Sequence, residues 1–270
     1  MKTTAEIISV GTELLLGDIV NTNAQYLAQN LSHLGIDLYF QTTVGDNGDR
    51  LRKALSIAFT RANLVILTGG LGPTKDDLTK EIVASYFKKD LVFDERAFEN
   101  LEQRAKLYGL KGVSQSNKKQ AYVPEGAIVL YNANGTAPGF IVENTNIGQD
   151  LQTAILLPGP PREMQPMFET YCIPYLQERS DKVLVSYNIR LKGYKTAQRK
   201  DVGESPVADK ITHLLDNKNP TVATYAKEDG VRIRVTAAAK EKKEALALIN
   251  PVIEEIKLCL GDVIEEIIEI

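Results

Sequence analysis

The sequence predicts an α/β domain built on a largely parallel sheet, followed by a small α+β domain, and three observations predict it. Over residues 1 to about 160, short apolar runs alternate with amphipathic stretches, the pattern of parallel strands joined by crossover helices. Several of those runs end in glycine, at Gly11, Gly45 and Gly69. Beyond residues 179–182 the order changes to strand, helix, strand, strand, helix. The 270 residues suffice for one large domain or two. The expected division is 1–178, 179–260 and a tail at 261–270.

Each element has its own signal. Ala5 to Val10 reads as a buried strand, and Ala24, Leu27, Ala28, Leu31 and Leu34 recur on one helical face that Gly35 stops. Ile36 to Val44 is a second strand, Leu51, Ala54, Leu55 and Ala58 mark a helix, and Leu64 to Thr68 is a third strand. A helix is expected from about Lys75 to Lys88 and another from Asp94 to Tyr108. The polar stretch Lys111 to Gln120 is placed on a mobile surface loop or short helix. Strands return at Ala127 to Tyr131, Phe140 to Val142 and Thr153 to Leu157. A helix then starts within Pro160 to Met164, where proline suits a first turn and Glu163 the positive end of the dipole.

In the second domain, Val183 to Leu191, Thr221 to Tyr225 and Val231 to Ala238 read as strands. Ser205 to Leu215 and Glu241 to Leu260 read as helices. Ile264, Ile267, Ile268 and Ile270 have no later element to bury against, so the tail is expected to be a truncation point.

Composition limits the chemistry. Lys and Arg number 32 against 35 Asp and Glu, a net charge of −3, which gives no reason to expect nucleic-acid binding. Cys172 and Cys259 lack metal or disulfide spacing, and His33 and His213 stand alone, so a zinc site or a Ser-His-Asp triad is not expected. No run approaches a signal peptide or membrane span. The expectation is a cytoplasmic protein, without membrane association, whose chemistry uses carboxylates, backbone amides and a metal.

The most informative segment is Thr68-Gly69-Gly70-Leu71-Gly72-Pro73-Thr74-Lys75-Asp76-Asp77, between a strand and a helix. Glycines there let backbone approach a ligand, and a helix N-terminus favours phosphate. The alternative is a tight turn in which Thr74 caps the helix and Asp77 completes a capping pair. Two carboxylates beside a phosphate call for a divalent cation, unless Asp76 and Asp77 merely complement the helix dipole. Gly11-Thr12-Glu13, followed by Asn21 and Asn23, lies at a second strand end, and Asp46 at a third. In a parallel sheet such ends converge on one edge. Caps are the alternative role for Asn21 and Asp46. Residues 132–139 and Leu157-Pro158-Gly159-Pro160-Pro161-Arg162-Glu163 complete the candidate rim.

These motifs, with Asn134-Gly135-Thr136-Ala137-Pro138-Gly139, resemble the N-terminal part of the CinA family, named for competence and damage inducibility. The resemblance covers residues 1 to about 175 and extends to the molybdopterin-binding fold of MoaB and MogA proteins, a three-layer α/β domain. Asp77 and Asp46 match two aspartates of that pattern, while Leu71 stands where it has threonine. Gly203-Glu204-Ser205 and Asn219-Pro220-Thr221 resemble the family's KH-like middle domain. The Gly-x-x-Gly clamp of RNA-binding KH modules is missing there, so a packing or dimerisation role is favoured despite Lys192, Lys195, Arg199 and Lys200. Full-length members usually continue into a nicotinamide mononucleotide deamidase domain, whose signature this sequence lacks.

For the first domain the resemblance implies a metal-dependent pyrophosphatase cleaving ADP-ribose to AMP and ribose 5-phosphate. Asp77 and Asp46 would be catalytic, and Asp77, Asp76 and Glu13 would hold magnesium, manganese or cobalt, with potassium as a possible further ion. The ligand would meet Gly11, Thr12, Glu13, Asn21, Asn23, Gly69, Gly70, Gly72, Thr74, Asn134, Gly135, Pro158, Gly159 and Pro160. The alternatives are molybdopterin binding or adenylylation, and a non-catalytic interaction module. A homo-oligomer is expected, with a dimer favoured.

Overall fold

The computed structural model describes residues 3–107, 109, 112–144, 151–179, 182–192, 203–227 and 230–270. Two compact units are present, one of Met1–Ser32 and Ile36–Arg179, the other of His33–Gly35 and Ser180–Ile270.

The first unit begins with β1 (Thr4–Val10), a one-turn helix α1 (Thr12–Leu16), α2 (Thr22–His33), β2 (Asp37–Val44), α3 (Gly48–Ala58) and β3 (Leu64–Thr68). It continues with α4 (Thr79–Tyr86), β4 (Leu91–Phe93), α5 (Glu95–Leu107), α6 (Gln115–Lys118), β5 (Tyr122–Pro124), β6 (Ile128–Leu130), β7 (Gly139–Glu143) and β8 (Thr153–Leu157). A last helical run comprises α7 (Pro161–Met167), a π-turn at Phe168–Cys172 and α8 (Ile173–Gln177). Six strands form one sheet in the order β2-β1-β3-β8-β7-β6. The pairs among β2, β1, β3 and β8 are parallel, and β7 and β6 complete the sheet antiparallel.

Every residue of β3 and β8 is buried, as expected of parallel strands covered on both faces. Ile8, Val65, Leu67, Ala154 and Leu156 share a cluster with Leu51 and Leu55 of α3 and with Ile82 and Val83 of α4. Ile7, Ile66 and Ile155, which alternate with them, are also fully buried. On that second face α2 meets the last helical run, where the Tyr26 and Phe168 rings lie 6.2 Å apart edge to face. The result is the expected three-layer α/β unit.

Register positions the site. Val10 lies opposite Val44, Ser9 opposite Thr68, and Thr68 opposite Leu157. The parallel strands therefore end level, and Gly11, Gly45, Gly69 and Pro158 leave the sheet along one edge. Because β7 is antiparallel to β8, with Phe140 opposite Leu156, the segment before Gly139 returns to that same edge.

Three expectations are corrected in this unit, and one feature was not expected. The helix expected from Lys75 starts only at Thr79, after a Leu78 N-cap position with no side-chain cap, so Asp76 and Asp77 lie before the helix. α3 is capped by Asn47, whose side chain accepts from the Arg50 amide, and not by Asp46. The stretch placed on a surface loop or short helix does contain the short helix α6, but its last residue, Gln120, is only 2% exposed. The ribbon of β4 with β5 was not expected, because three-residue strands carry too little pattern to read.

The second unit consists of β9 (Val183–Leu191), α9 (Glu204–Lys210), α10 (Thr212–Leu215), β10 (Thr221–Lys227), β11 (Gly230–Ala239), α11 (Lys242–Leu260) and β12 (Ile264–Glu269). Its antiparallel sheet has the order β10-β11-β9-β12. Along β11, Val231, Ile233, Val235 and Ala237 are buried and join Ile249, Ile253 and Ile256 of α11 in the core. The expected tail is corrected: Ile264 and Ile267 pair with Leu191 and Ile189 of β9 and pack on that core. Lys195, Arg199 and Lys200 lie outside the described residues.

Candidate functional site

The backbone at Gly69 and Gly70 has φ of +94° and +68°, a region where glycine is unstrained. A side chain on Gly69 would collide with the Val10 carbonyl, and one on Gly70 with the Thr79 hydroxyl. Thr79 fixes the turn, its amide donating to Gly70 O at 3.1 Å and its hydroxyl to Gly69 O at 2.9 Å. The Gly69 amide donates to Leu157 O at 3.0 Å. That corrects its expected role, because an N–H already used in the sheet is not available to an anion.

Three other glycines make room for carboxylates. A Cβ on Gly11 would lie 2.5 Å from Glu13 Oε1, and one on Gly72 would lie 2.6 Å from Asp77 Oδ2. A Cβ on Gly135 would strike Glu163 Oε2. Each glycine loop thus seats an acid against bare backbone.

The carboxylates are held by hydrogen bonds. Asp77 Oδ2 accepts from the Thr74 amide at 2.9 Å and its hydroxyl at 2.6 Å. Half of the expected capping pair is thus present, Asp77 accepting from the Thr74 amide, while the Thr74 hydroxyl donates to the aspartate instead of capping the helix. Asp46 Oδ2 accepts from the Thr12 amide at 2.9 Å and hydroxyl at 2.8 Å. Glu163 Oε2 accepts from Asn132 Nδ2 at 2.9 Å, and the Glu163 side chain is 12% exposed. In none of the hydrogen bonds described does Oδ1 of Asp46 or Asp77 take part.

Between these loops lies a cleft of about 490 Å³. Its lining includes five carboxylates, Glu13, Asp46, Asp76, Asp77 and Glu163, and no lysine or arginine among the described residues. Gly11, Gly69, Gly70, Gly72, Thr74, Pro158, Gly159 and Pro160 are also on its wall, so most of the expected site residues meet in one place. Thr12 acts behind the wall through Asp46. Asn134 donates from Nδ2 to Arg162 O at 3.1 Å and, with Gly135, supports the loop that holds Glu163. Asn21 has the cap role left open for it, accepting from the Ala24 amide at 3.1 Å. With Asn23 it lines an adjoining hollow instead of the cleft.

Sequence reasoning missed the supports under the glycine loop. Lys119 Nζ donates to Thr74 O at 2.6 Å and Asp77 O at 2.7 Å. Gln120 Nε2 donates to Leu71 O at 3.2 Å, and its buried Oε1 has no protein partner. Lys80, 5% exposed, donates to Lys119 O at 2.6 Å. Burial and the nearby Lys119 charge pull the Lys80 ammonium down to about 8, against a smaller upward pull from Glu81. None of these residues follows a strand, so no pattern marked them. Glu163 could have been found, since it closes a motif already placed on the rim.

The cleft's donor set suits a hard cation, which prefers oxygen, and contains neither imidazole nor thiolate. Among the described residues no three acids, histidines or cysteines are grouped closely enough to hold a metal by themselves. An ion here would need ligand phosphate and water to complete its shell, as magnesium ordinarily does. With that condition the residues fit a divalent cation.

The fold and the cleft define the class of the first unit, and comparison with known proteins agrees. Residues 6–178 match the family described as "Probable molybdopterin binding domain", and residues 196–264 match the "Damage-inducible protein CinA KH domain". A Clostridium beijerinckii protein named as competence-damage inducible is 51% identical over 259 residues, covering 96% of this chain and 60% of that one. A Clostridium botulinum protein of the same name is 50% identical over 258 residues, covering 95% and 60%. The crystal structure of a Thermoplasma acidophilum CinA of unknown function is 34% identical, with a TM-score of 0.55, covering 62% of this chain and 95% of that one. The chain belongs to the CinA family. It spans 60% of the length of the clostridial relatives it matches. Among the described residues no helix is long and apolar enough to cross a membrane.

Proposed function

We propose that the first unit is a metal-dependent pyrophosphatase of nucleoside diphosphate sugars, with ADP-ribose as substrate and AMP and ribose 5-phosphate as products. The observation that carries this reading is the cleft itself: five carboxylates and a glycine turn with, among the described residues, no basic side chain on the wall. An anionic diphosphate is repelled by such a wall unless a divalent cation bridges the two. When bound, magnesium, manganese or cobalt would neutralise charge developing on the phosphoryl oxygens.

The chain's own residues do the rest. Asp77, with Asp46 or Glu13, would hold the ion or orient the attacking water. Water oxygen bonds to one phosphorus as the bridging P–O bond breaks. The bridging oxygen leaves on the other phosphate, and the water protons pass to carboxylate and solvent. Gly70 and Gly72 place backbone against the diphosphate, a fixed polar surface that need not reorganise during reaction. Asp76 lines the cleft but has no recorded hydrogen bond to fix it, so its metal role is the secondary one.

The match of residues 6–178 to a molybdopterin-binding model favours a second reading, binding of the pterin or its adenylylated form. To separate the two, metal-stripped protein is incubated with ADP-ribose and magnesium, manganese or cobalt, with and without potassium. AMP release is followed for wild type and Asp77→Asn. Metal-dependent release that Asp77→Asn loses supports the hydrolase. Absence of release from folded wild type with every metal, together with tight pterin binding, overturns it.

A further inference from the structure

The acidic wall of the cleft has a reverse side. Gly70, Leu71, Gly72 and Asp77 also border a hollow of about 10 Å³, whose lining includes Lys80, Lys119 and Gln120 and which has room for a single water. Lys119 borders this hollow and not the cleft. Its ammonium therefore stands behind the carboxylates instead of facing a ligand in front of them.

Three loop carbonyls, spaced three residues apart, are held from behind. Lys119 Nζ donates to Thr74 O at 2.6 Å and to Asp77 O at 2.7 Å, and Gln120 Nε2 donates to Leu71 O at 3.2 Å. The two Lys119 contacts grip both ends of the turn in which the Thr74 amide and hydroxyl seat Asp77 Oδ2. Lys119 is itself fixed, because Lys80 Nζ of α4 donates to its carbonyl at 2.6 Å, and α4 begins where the loop ends. The bracket closes on itself: loop to Lys119, Lys119 to Lys80, and Lys80 back to the loop along the chain.

Ordering a lysine this way costs rotamer freedom, which a charge left in water would keep. Hydrogen bonds from a charged donor are about twice as strong as neutral ones, and both Lys119 contacts described are of that kind, to carbonyls and not to a carboxylate. An ammonium shared between two carbonyls does the work of a bound monovalent cation, which trades shed water for backbone oxygen. We propose that Lys119 is the positioning residue of this site, a cation built into the chain that holds the Thr74 and Asp77 carbonyls and so keeps the Asp77 carboxylate in place on the cleft wall. The proposal rests on the pyrophosphatase reading only for the use to which Asp77 is put.

Amide hydrogen exchange over residues 70–79, followed by mass spectrometry without metal or nucleotide, tests the clamp apart from any activity. Lys119→Met, which removes the ammonium and keeps an unbranched apolar stem, is compared with wild type and Lys119→Arg. Exchange in this segment is expected to be about tenfold faster in Lys119→Met, on the scale of losing a charged hydrogen bond, with Lys119→Arg near wild type. Ethylammonium, a small cation with N–H donors, should restore slow exchange to Lys119→Met, and tetramethylammonium, of equal charge without donors, should not. Unchanged exchange in Lys119→Met, or restoration by both cations or by neither, overturns the proposal. If Lys119→Met does not fold alone, folding rescued by ethylammonium only supports the clamp, and any other result overturns it.

Manganese binding in the presence of AMP, read by electron spin resonance, separates position from charge by its sign. Removing a positive charge beside an acidic wall would by itself tighten manganese binding, whereas a displaced carboxylate loosens it. Lys119→Met is expected to bind manganese about tenfold more weakly, on the scale of misplacing a binding group, and equal or tighter binding overturns the positioning role. If wild type binds no manganese while hydrogen exchange behaves as expected, the metal-dependent pyrophosphatase reading fails and the clamp stands.

Discussion

Asp46 and Thr12 tie the ends of two neighbouring strands together: one carboxylate oxygen accepts the Thr12 amide at 2.9 Å and its hydroxyl at 2.8 Å. The pair joins the loop after β2 to the start of α1, and so holds both Asp46 and Glu13 on the cleft wall.

Thr12→Val keeps the shape and the Thr12 amide contact but removes the hydroxyl, which donates to Asp46 Oδ2 at 2.8 Å and accepts from the Asp46 amide at 3.1 Å. The expected cost is about 2 kcal/mol of stability, the ordinary net value of two hydrogen bonds, measured by urea denaturation. Metal-dependent AMP release should fall several-fold, because the carboxylate that hydroxyl oriented is then free to rotate. Unchanged release at equal metal concentration would show that Asp46 needs no such orientation.

Gly72→Ala tests whether glycine is present to seat Asp77. The new methyl would lie 2.6 Å from Asp77 Oδ2, and a short carboxylate side chain cannot move away without losing its Thr74 contacts. The melting temperature should change by only a few degrees, while AMP release falls about tenfold or more, on the scale of misplacing a catalytic group. Retention of full activity would separate Asp77 from the chemistry.

Lys80 makes stability depend on pH in an unusual direction. Its ammonium is held at about 8 against an ordinary 10.5, so between those values the unfolded chain carries a proton that the folded chain has released. Stability therefore rises with pH across that window, by about 3 kcal/mol for this group alone. The difference in unfolding free energy between wild type and Lys80→Met, measured from pH 7 to 10.5, should grow in favour of wild type. Lys119→Met removes one of the charges that lowers Lys80, so it should move the onset to higher pH. A flat difference would refute the assignment to Lys80.

What could be read from the sequence follows the range of the interactions involved. β1, β3 and β8 are legible because buried parallel strands are continuous apolar runs, and the level ends of these strands and of β2 place Gly11, Asp46, Gly69 and Gly159 along one edge. Local hydrogen bonding was less legible. Thr74 and Asp77 carry the same spacing whether threonine caps a helix or aspartate accepts from threonine, and the matter turns on where the helix begins, which is Thr79. Lys119 and Gln120 were not legible at all. They act on carbonyls 42 to 49 residues earlier, and backbone carbonyls leave no signature in side-chain patterns.

The pairing of β12 with β9 also bears on how the second unit's sheet covers the side of β9. Without β12, the amides and carbonyls along one side of β9 would be an open template for strand addition by another chain. β12 covers that side and presents Glu265, Glu266 and Glu269 at the new border, with Arg190 3.2 Å from Glu265 and 3.4 Å from Glu266. Glu269 is likewise paired, with Lys242 at 2.5 Å, and a border of charged side chains is a poor template for a further strand. The last isoleucines of the chain thus cover what would otherwise be its most aggregation-prone edge.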